Sequence, residues 1–286
     1  MHTSLPPEHN GVSTAVVERL SRFQWQATDR RMAVGCGDVA HRRDGRRFVS
    51  IDAWHDSVFD QLAAAMAAGL PRPLHTLVDE ADSALVSRWE RAGFTVRQRI
   101  REYLVPTDPQ AQVLPGTESA AGRTAAPEAG PTAVLAAGTA VPQRITIVSG
   151  AEVDADDVYA LDQAIRAEVD AAGGPPLPVM PEYRSDSDDI FDSAQYTVAV
   201  ADDRLVGLVR VPPVIRMPRI ALVAVLTEHR RRGIARALLA HALRDLRDHG
   251  VGQAVADVDD TDAAAAALFD SVGGRVRGTV VELVLA

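Results

Sequence analysis

Apolar residues in the second half of the chain change period several times, and each change marks an element. Residues 144–149 (RITIVS) read as a strand, and residues 154–169 (DADDVYALDQAIRAEV) as an amphipathic helix with an acidic start. After a proline-rich loop, two apolar-rich runs flank Asp202 and Asp203, which predicts a hairpin. Residues 219–226 (RIALVAVL) predict the next strand. Residues 231–249 place Ile234, Leu238, Leu239, Ala242, Leu243 and Leu246 on one face of a helix that Gly250 stops. A buried strand at 254–259, a helix at 261–272 and two closing strands complete the order βαα-ββ-βαβ-αββ. That order predicts an α/β (α+β) fold, a mixed and mostly antiparallel sheet flanked by helices.

The first half carries a strand at 47–54 (RFVSIDAW), a helix at 57–69 and a strand at 74–80. From Val78 onward the first half matches the end of the chain. VDEADSALVSRWERAGFTVRQRIREYLV, from Val78, lies without a gap over VDDTDAAAAALFDSVGGRVRGTVVELVL, from Val258, at a constant offset of 180 residues. Asp79, Asp82, Glu90, Gly93, Arg97 and Glu102 meet Asp259, Asp262, Asp270, Gly273, Arg277 and Glu282, with Trp89 opposite Phe269. A period this long implies duplicated domains, since solenoid repeats are far shorter. The stretch 106–143 is rich in Ala, Pro, Gly and Thr without strand or helix periodicity, a linker composition. The expected organisation is therefore a domain at 1–105, a linker at 106–143 and a domain at 144–286.

Composition narrows the function classes. Lysine is absent, so a cluster of arginines carries less meaning than usual, and the net charge of −9 argues against a general nucleic-acid binder. Cys36 is the only cysteine, which excludes an intrachain disulfide and a Cys-based zinc cluster, and no metal site is expected. The start, MHTSLPPEHNG, has neither a basic nor an apolar leader region, and no run approaches the ~18 apolar residues of a membrane span. A cytoplasmic protein without a membrane partner is the expectation.

Arg230-Arg231-Arg232-Gly233-Ile234-Ala235 joins an apolar strand to an amphipathic helix. Such a turn gathers backbone N–H groups that no helical carbonyl can accept, and the small residues let an anion approach them. Neither a Walker loop nor a dinucleotide fingerprint is present, so a different phosphate ligand is implied. This segment resembles the acetyl-CoA loop, [Q/R]-x-x-G-x-[G/A], of the GCN5-related N-acetyltransferase (GNAT) superfamily, and DTDAAAAALFDSVGG resembles the family's second segment. The resemblance covers roughly 144–286 and, through the repeat, extends faintly to 12–105. It implies the tandem two-domain form, of which mycothiol synthase is an example.

The resemblance implies acetyl-CoA as co-substrate. Val223, Ala224 and Val225 would lie along the pantetheine and acetyl group, and Arg230, Arg231, Arg232, Gly233, Ile234, Ala235 and Arg236 around the pyrophosphate. Asp262 and Phe269 also fall on the cofactor side, where they replace the family's usual Asn and Tyr. Phe269 cannot donate a proton, which leaves Tyr183 or Tyr196 as candidates for a general acid. Asp259 and Asp260 are candidates for a general base, or for turn and capping chemistry at a strand end. Glu228 and His229 read as loop residues.

The acidic segment 182–192 (EYRSDSDDIFD) lies where this fold builds its acceptor site and would attract a cationic amine. The first half has AWHD between its strand and helix and no glycine loop, so it reads as a degenerate copy. Three functions fit: N-acetylation of a small-molecule primary amine by direct attack, acetylation of a protein or peptide N-terminus, or non-catalytic acyl-CoA binding. A monomer or homodimer is expected.

Overall fold

Residues 15–42, 45–108, 145–171, 191–213 and 217–286 are described in the computed structural model. The first half contains β1 (Val16–Arg19), β2 (Gln24–Asp29), β3 (Met32–His41), β4 (Arg47–Ala53), α1 (Asp56–Gly69), β5 (Leu74–Asp79), α2 (Ser83–Arg91) and β6 (Thr95–Pro106). The second contains β7 (Ile145–Ser149), α3 (Ala155–Ala171), β8 (Tyr196–Ala201), β9 (Arg204–Arg210), β10 (Arg219–Ile220), β11 (Leu222–Val225), α4 (Ile234–Asp248), β12 (Gln253–Asp259), α5 (Ala263–Asp270) and β13 (Arg275–Leu285). The expected hairpin is present, and Asp202 and Asp203 turn it with φ of 49° and 61°, the left-handed pair that a two-residue hairpin loop requires.

The strands form a nine-stranded sheet, β1-β2-β3-β4-β5-β13-β6-β12-β10, and a four-stranded sheet, β11-β9-β8-β7. The last strand of each half has crossed into the other: β13 lies between β5 and β6, and β6 between β13 and β12. A boundary drawn in chain order therefore does not divide the sheet. Apart from residues 106–108, the expected linker lies outside the described residues.

The repeat becomes geometry at this crossing. Ile100 pairs with Val280, Arg101 with Thr279, and Arg99 with Val281. Ile100 and Val280 are equivalent in the repeat, so a pseudo-twofold axis passes between them. The flanking ladders obey it: Val280 pairs with Asp79 as Ile100 pairs with Asp259, and Val281 with Val78 as Arg101 with Val258. Glu80 N–H donates to the Thr279 carbonyl at 2.8 Å, and Asp260 N–H to that of Arg99 at 2.9 Å. Even the helix caps match, Asp82 accepting from Leu85 N–H and Asp262 from Ala264 and Ala265 N–H.

Each exchanged strand fills its host's core with every second residue. Val281, Leu283 and Leu285 pack in the first half against α1 and α2, with Phe59, Leu62 and Trp89. Tyr103 and Val105 pack in the second against α4 and α5, with Leu238, Leu239 and Phe269. Full burial of such a side chain is worth roughly 1.5–3 kcal/mol, so each half is stabilised by several side chains of the other.

The opposite residues of the exchanged strands make reciprocal ion pairs. Arg97 Nη1 lies 3.0 Å from Glu282 Oε1, and Arg277 bonds Glu102 at the equivalent place. The Glu282 carboxylate, 1% exposed, also accepts from Arg46 at 3.0 Å and meets His75 Nδ1 at 2.7 Å. Phe48 stacks on the His75 ring. Burial pushes His75 below its ordinary value; Glu282 opposes the shift, and Arg46 and Arg97 reinforce it.

Several elements differ from the expectation. Strands β1 to β3 carry too weak a period to be read. Glycines interrupt β3: a Cβ at Gly37 would run into the Met66 side chain, so glycine there admits α1 to the sheet. The two closing strands are one, β13, with irregular register near Val276/Gly278 and Glu282/Leu283. The 231–249 helix begins at Ile234, and the 219–226 strand is divided at Ala221.

Leu283→Ala should destabilise the first half by about 2–5 kcal/mol, the usual range for a buried Leu truncation, although the residue lies in the final strand. Hydrogen exchange checks this through faster exchange in α1 and β5. A second expectation concerns His75. Its folded pKa is depressed, so the unfolded chain takes up the proton first, and stability is lost as pH falls below the unfolded value near 6.5. The melting temperature of His75→Gln should fall less between pH 7.5 and 5.5 than that of the unsubstituted protein.

Candidate functional site

The apolar strand at 219–226 cannot serve both sheets along its whole length, and its division opens the site. β10 runs parallel to β12 for two pairs, Arg219↔Val255 and Ile220↔Ala256. After Ala221 the chain leaves β12 and β11 continues against β9 alone. Leu226 N–H donates to the Val206 carbonyl at 2.9 Å, so the alternation of an antiparallel strand turns the main-chain groups of Val223 and Val225 away from β9, toward the opening. Their side chains pack on the α4 side, whereas Leu222, Ala224 and Leu226 pack on the α3 side.

A 3₁₀ turn (Thr227–His229) leads into the arginine run. Arg231 and Gly233 adopt φ of 60° and 79°, and α4 starts at Ile234, held by buried Ile234, Leu238 and Leu239. The first intrahelical donor is Ala237 N–H, onto the Gly233 carbonyl at 3.0 Å, so the N–H groups of residues 234–236 have no helical acceptor. A Cβ added at Gly233 meets nothing within 4 Å. Glycine is thus demanded by backbone conformation, and the space above it is open to a ligand. At the far end Gly250 N–H bonds Arg247 O and Val251 N–H bonds Leu246 O, the paired closure that stops the helix where the sequence predicts.

The three arginines are not equivalent. Arg230 Nε donates to the Val225 carbonyl at 2.9 Å, and its Nη2 lies 3.6 Å from Glu168 Oε2. Arg232 donates to the Glu228 carbonyl at 3.0 Å. Arg231 and Arg236 are exposed on the loop and on the first turn of α4. Glu168, near the end of α3, also accepts from Thr227 N–H at 2.9 Å and from its hydroxyl at 2.7 Å. Sequence reasoning missed it: a carboxylate on an acidic helix gives no local sign of a partner 59 residues away. His229 Nε2 lies 3.2 Å from Glu228, and its Nδ1 is buried with no partner among the described residues.

Asp259 accepts from the Thr261 N–H and hydroxyl, and Asp260 pairs with Arg101, so both are engaged in the β12–α5 turn. Asp262 caps α5, a task for which Asp and Asn serve alike. Phe269 is 5% exposed, its ring centroid 5.7 Å from that of Tyr103 on the exchanged strand. Tyr183 lies outside the described residues. Tyr196 is buried, which raises its phenol's pKa, and Arg210 lies over its ring. The fold thus brings Val223, Ala224, Val225 and residues 230–236 into one continuous lip. Asp259, Asp260, Asp262 and Phe269 belong to the β12–α5 unit that succeeds the other strand of the opening.

The first half has the same division without the loop. β4 is parallel to β5 only at Arg47↔Leu74 and Phe48↔His75, then continues against β3. Two residues, Trp54 and His55, join it to α1, where eight, Leu226 to Gly233, join β11 to α4. His55 caps α1 in extended conformation without a side-chain bond.

Comparison with known proteins agrees with this geometry. Residues 162–273 match the family model described as acetyltransferase (GNAT) family, whose members use acetyl-CoA. A GCN5-related N-acetyltransferase from Sphaerobacter thermophilus superposes with a TM-score of 0.62 at 16% identity, over 94% of this chain and 82% of that one. A tandem GNAT protein from the clavulanic acid biosynthesis pathway gives 0.56 at 13% identity, over 92% and 82%. Human (Homo sapiens) N-acetyltransferase 8 is 35% identical over 89 residues, a match that spans 29% of this chain and 39% of that protein. These superpositions show the mixed α/β fold of GNAT proteins, and this chain spans less than half the length of the curated relative it matches. Among the described residues no helix is long and apolar enough to cross a membrane.

Proposed function

We propose that this chain is a tandem GNAT enzyme that moves an acetyl group from acetyl-CoA to the primary amine of a small molecule, with the active site in its second half. One observation carries the reading: at the lip of a divided sheet sits a left-handed glycine with open space over it among the described residues, at the start of a helix whose first N–H groups have no helical acceptor. An anion such as a pyrophosphate suits the helix start, where backbone donors and the helix dipole favour negative charge. An extended arm suits the opening beside Val223 and Val225, whose outward main-chain groups can pair with it as a strand would.

In the proposed reaction the acceptor ammonium first loses a proton to water, the neutral amine nitrogen attacks the thioester carbonyl carbon, the C–S bond breaks, the nitrogen gives up a second proton and the sulfur leaves as thiolate. The Val225 N–H, which the β9 ladder leaves turned toward the opening, is proposed as the donor that stabilises the developing oxyanion, while the Val225 carbonyl accepts from Arg230. Asp259 and Asp260 are engaged in their turn, and the Tyr196 side chain is buried in the core beneath α3. Water is therefore proposed to accept the amine proton, and the thiolate leaves without a protein acid. The acidic segment at 182–192 supports a cationic acceptor. The first half, with its two-residue connection, is proposed to be structural. Strand exchange within one chain supports a monomer.

The test is a panel of small primary amines, including peptides with free N-termini, read by release of free CoA. Release that depends on a small amine is the expected result. Release with peptides alone would move the acceptor class, and acetyl-CoA binding without release would make the protein a non-catalytic acyl-CoA binder. Gly233→Asp places a negative side chain on the open face. Unit charges near a surface interact by a kcal/mol or more, and acetyl-CoA affinity should fall at least about tenfold. Calorimetry showing undiminished affinity in the folded variant would remove the loop from the site.

A further inference from the structure

Glu168 lies on α3, outside the loop it touches. Its Oε2 accepts from the Thr227 N–H at 2.9 Å and the Thr227 hydroxyl at 2.7 Å, and meets Arg230 Nη2 at 3.6 Å. Arg230 passes the connection onward, its Nε donating to the Val225 carbonyl at 2.9 Å. One carboxylate oxygen thus ties together the first residue of the 3₁₀ turn, the first arginine of the run and, through that arginine, the last residue of β11.

The geometry points to Glu168 as a positioning residue for the anion loop. The loop needs such a brace. Arg231 and Gly233 hold left-handed conformations, which the arginine does not favour by itself, and a Cβ at Gly233 would find no atom within 4 Å among the described residues. Packing therefore does not fix the loop at its ligand face. Glu168 and Arg230 fix it from behind. Arg230 matches the first position of the acetyl-CoA-loop pattern, yet its guanidinium is turned to Val225 and Glu168. Its role is to shape the loop, and the charge that meets an anion falls to the exposed Arg231 and Arg236 and to the N–H groups at the start of α4. Because Glu168 is negative, it also opposes an anion by its charge while favouring it by the shape it imposes. Two substitutions separate these effects. Glu168→Gln keeps an oxygen that can accept from Thr227 and removes the charge; Glu168→Ala removes both.

The role rests on the acetyl-CoA reading for its ligand and on the apo loop for its physics, so both are measured on the full chain. Hydrogen exchange without ligand should show the segment 227–236 exchanging faster in Glu168→Ala, with β12 and the later turns of α4 unchanged and the Gln variant close to the unsubstituted protein. Titration with acetyl-CoA should show affinity reduced about tenfold in Glu168→Ala and retained or raised in Glu168→Gln. If Glu168→Ala does not fold, Thr227→Val, which removes one of the bonds, should give the same pattern at smaller amplitude. Unchanged exchange in 227–236, or undiminished affinity in Glu168→Ala, overturns this role alone. Absence of acetyl-CoA binding by the unsubstituted chain, with 227–236 still loosened in Glu168→Ala, overturns the function reading while leaving the brace in place.

Discussion

The pairing of β6 with β13 is the constraint on which the rest of the molecule depends. Neither half completes its sheet or its core without the other's last strand. Tyr103 and Val105 lie beneath α4 and α5, and Val281, Leu283 and Leu285 lie beneath α1 and α2. The first half therefore reaches the candidate site through β6, whose Arg101 and Tyr103 meet Asp260 and Phe269. It supplies β6, β6 holds β12, and β12 is the wall from which β11 departs. The first half is needed even though its own connection lacks the glycine loop, because its final strand is part of the second half's sheet.

Duplication explains the arrangement, and the differences between the copies explain the division of labour. In both copies a strand leaves its parallel neighbour after two pairs, β4 as one continuous strand and the equivalent strand of the second half as β10 and β11. Eight residues against two separate the connections that follow: the longer one contains a 3₁₀ turn and a left-handed glycine before its helix, and the proposed anion site rests on that difference. The ion pairs diverged as well. Glu282, paired with Arg97, is joined by Arg46 and His75 and buried, whereas Glu102 with Arg277 and Arg219 stays partly open.

Local features were legible in the sequence where a single residue type answers a local demand. Gly250 stops α4, the Asp202–Asp203 pair turns a hairpin, and Gly233 sits where a left-handed residue is needed. The repeat was legible too, including Arg97, Glu102, Arg277 and Glu282, but not that each arginine pairs with the other copy's glutamate. Strand period says which face a residue takes and nothing of which distant strand lies beside it. The site divided in the same way. The lip from Val223 to Arg236 is contiguous in sequence and could be read, and the use of Arg230 as a brace could not, because its partner Glu168 looks like any solvated carboxylate of an acidic helix. The aspartates at 259 and 260 carried both readings in the sequence, and the structure places them in turn chemistry.

The central claim is one fold used twice with one ligand site, and the stoichiometry of acetyl-CoA binding tests it most directly. Titrated into the intact chain and followed by calorimetry with native mass measurement, acetyl-CoA should saturate at one equivalent. Two equivalents of similar affinity would show that the two-residue connection after β4 suffices to hold the ligand. No binding at all would show that the left-handed glycine and open helix start do not make a cofactor site.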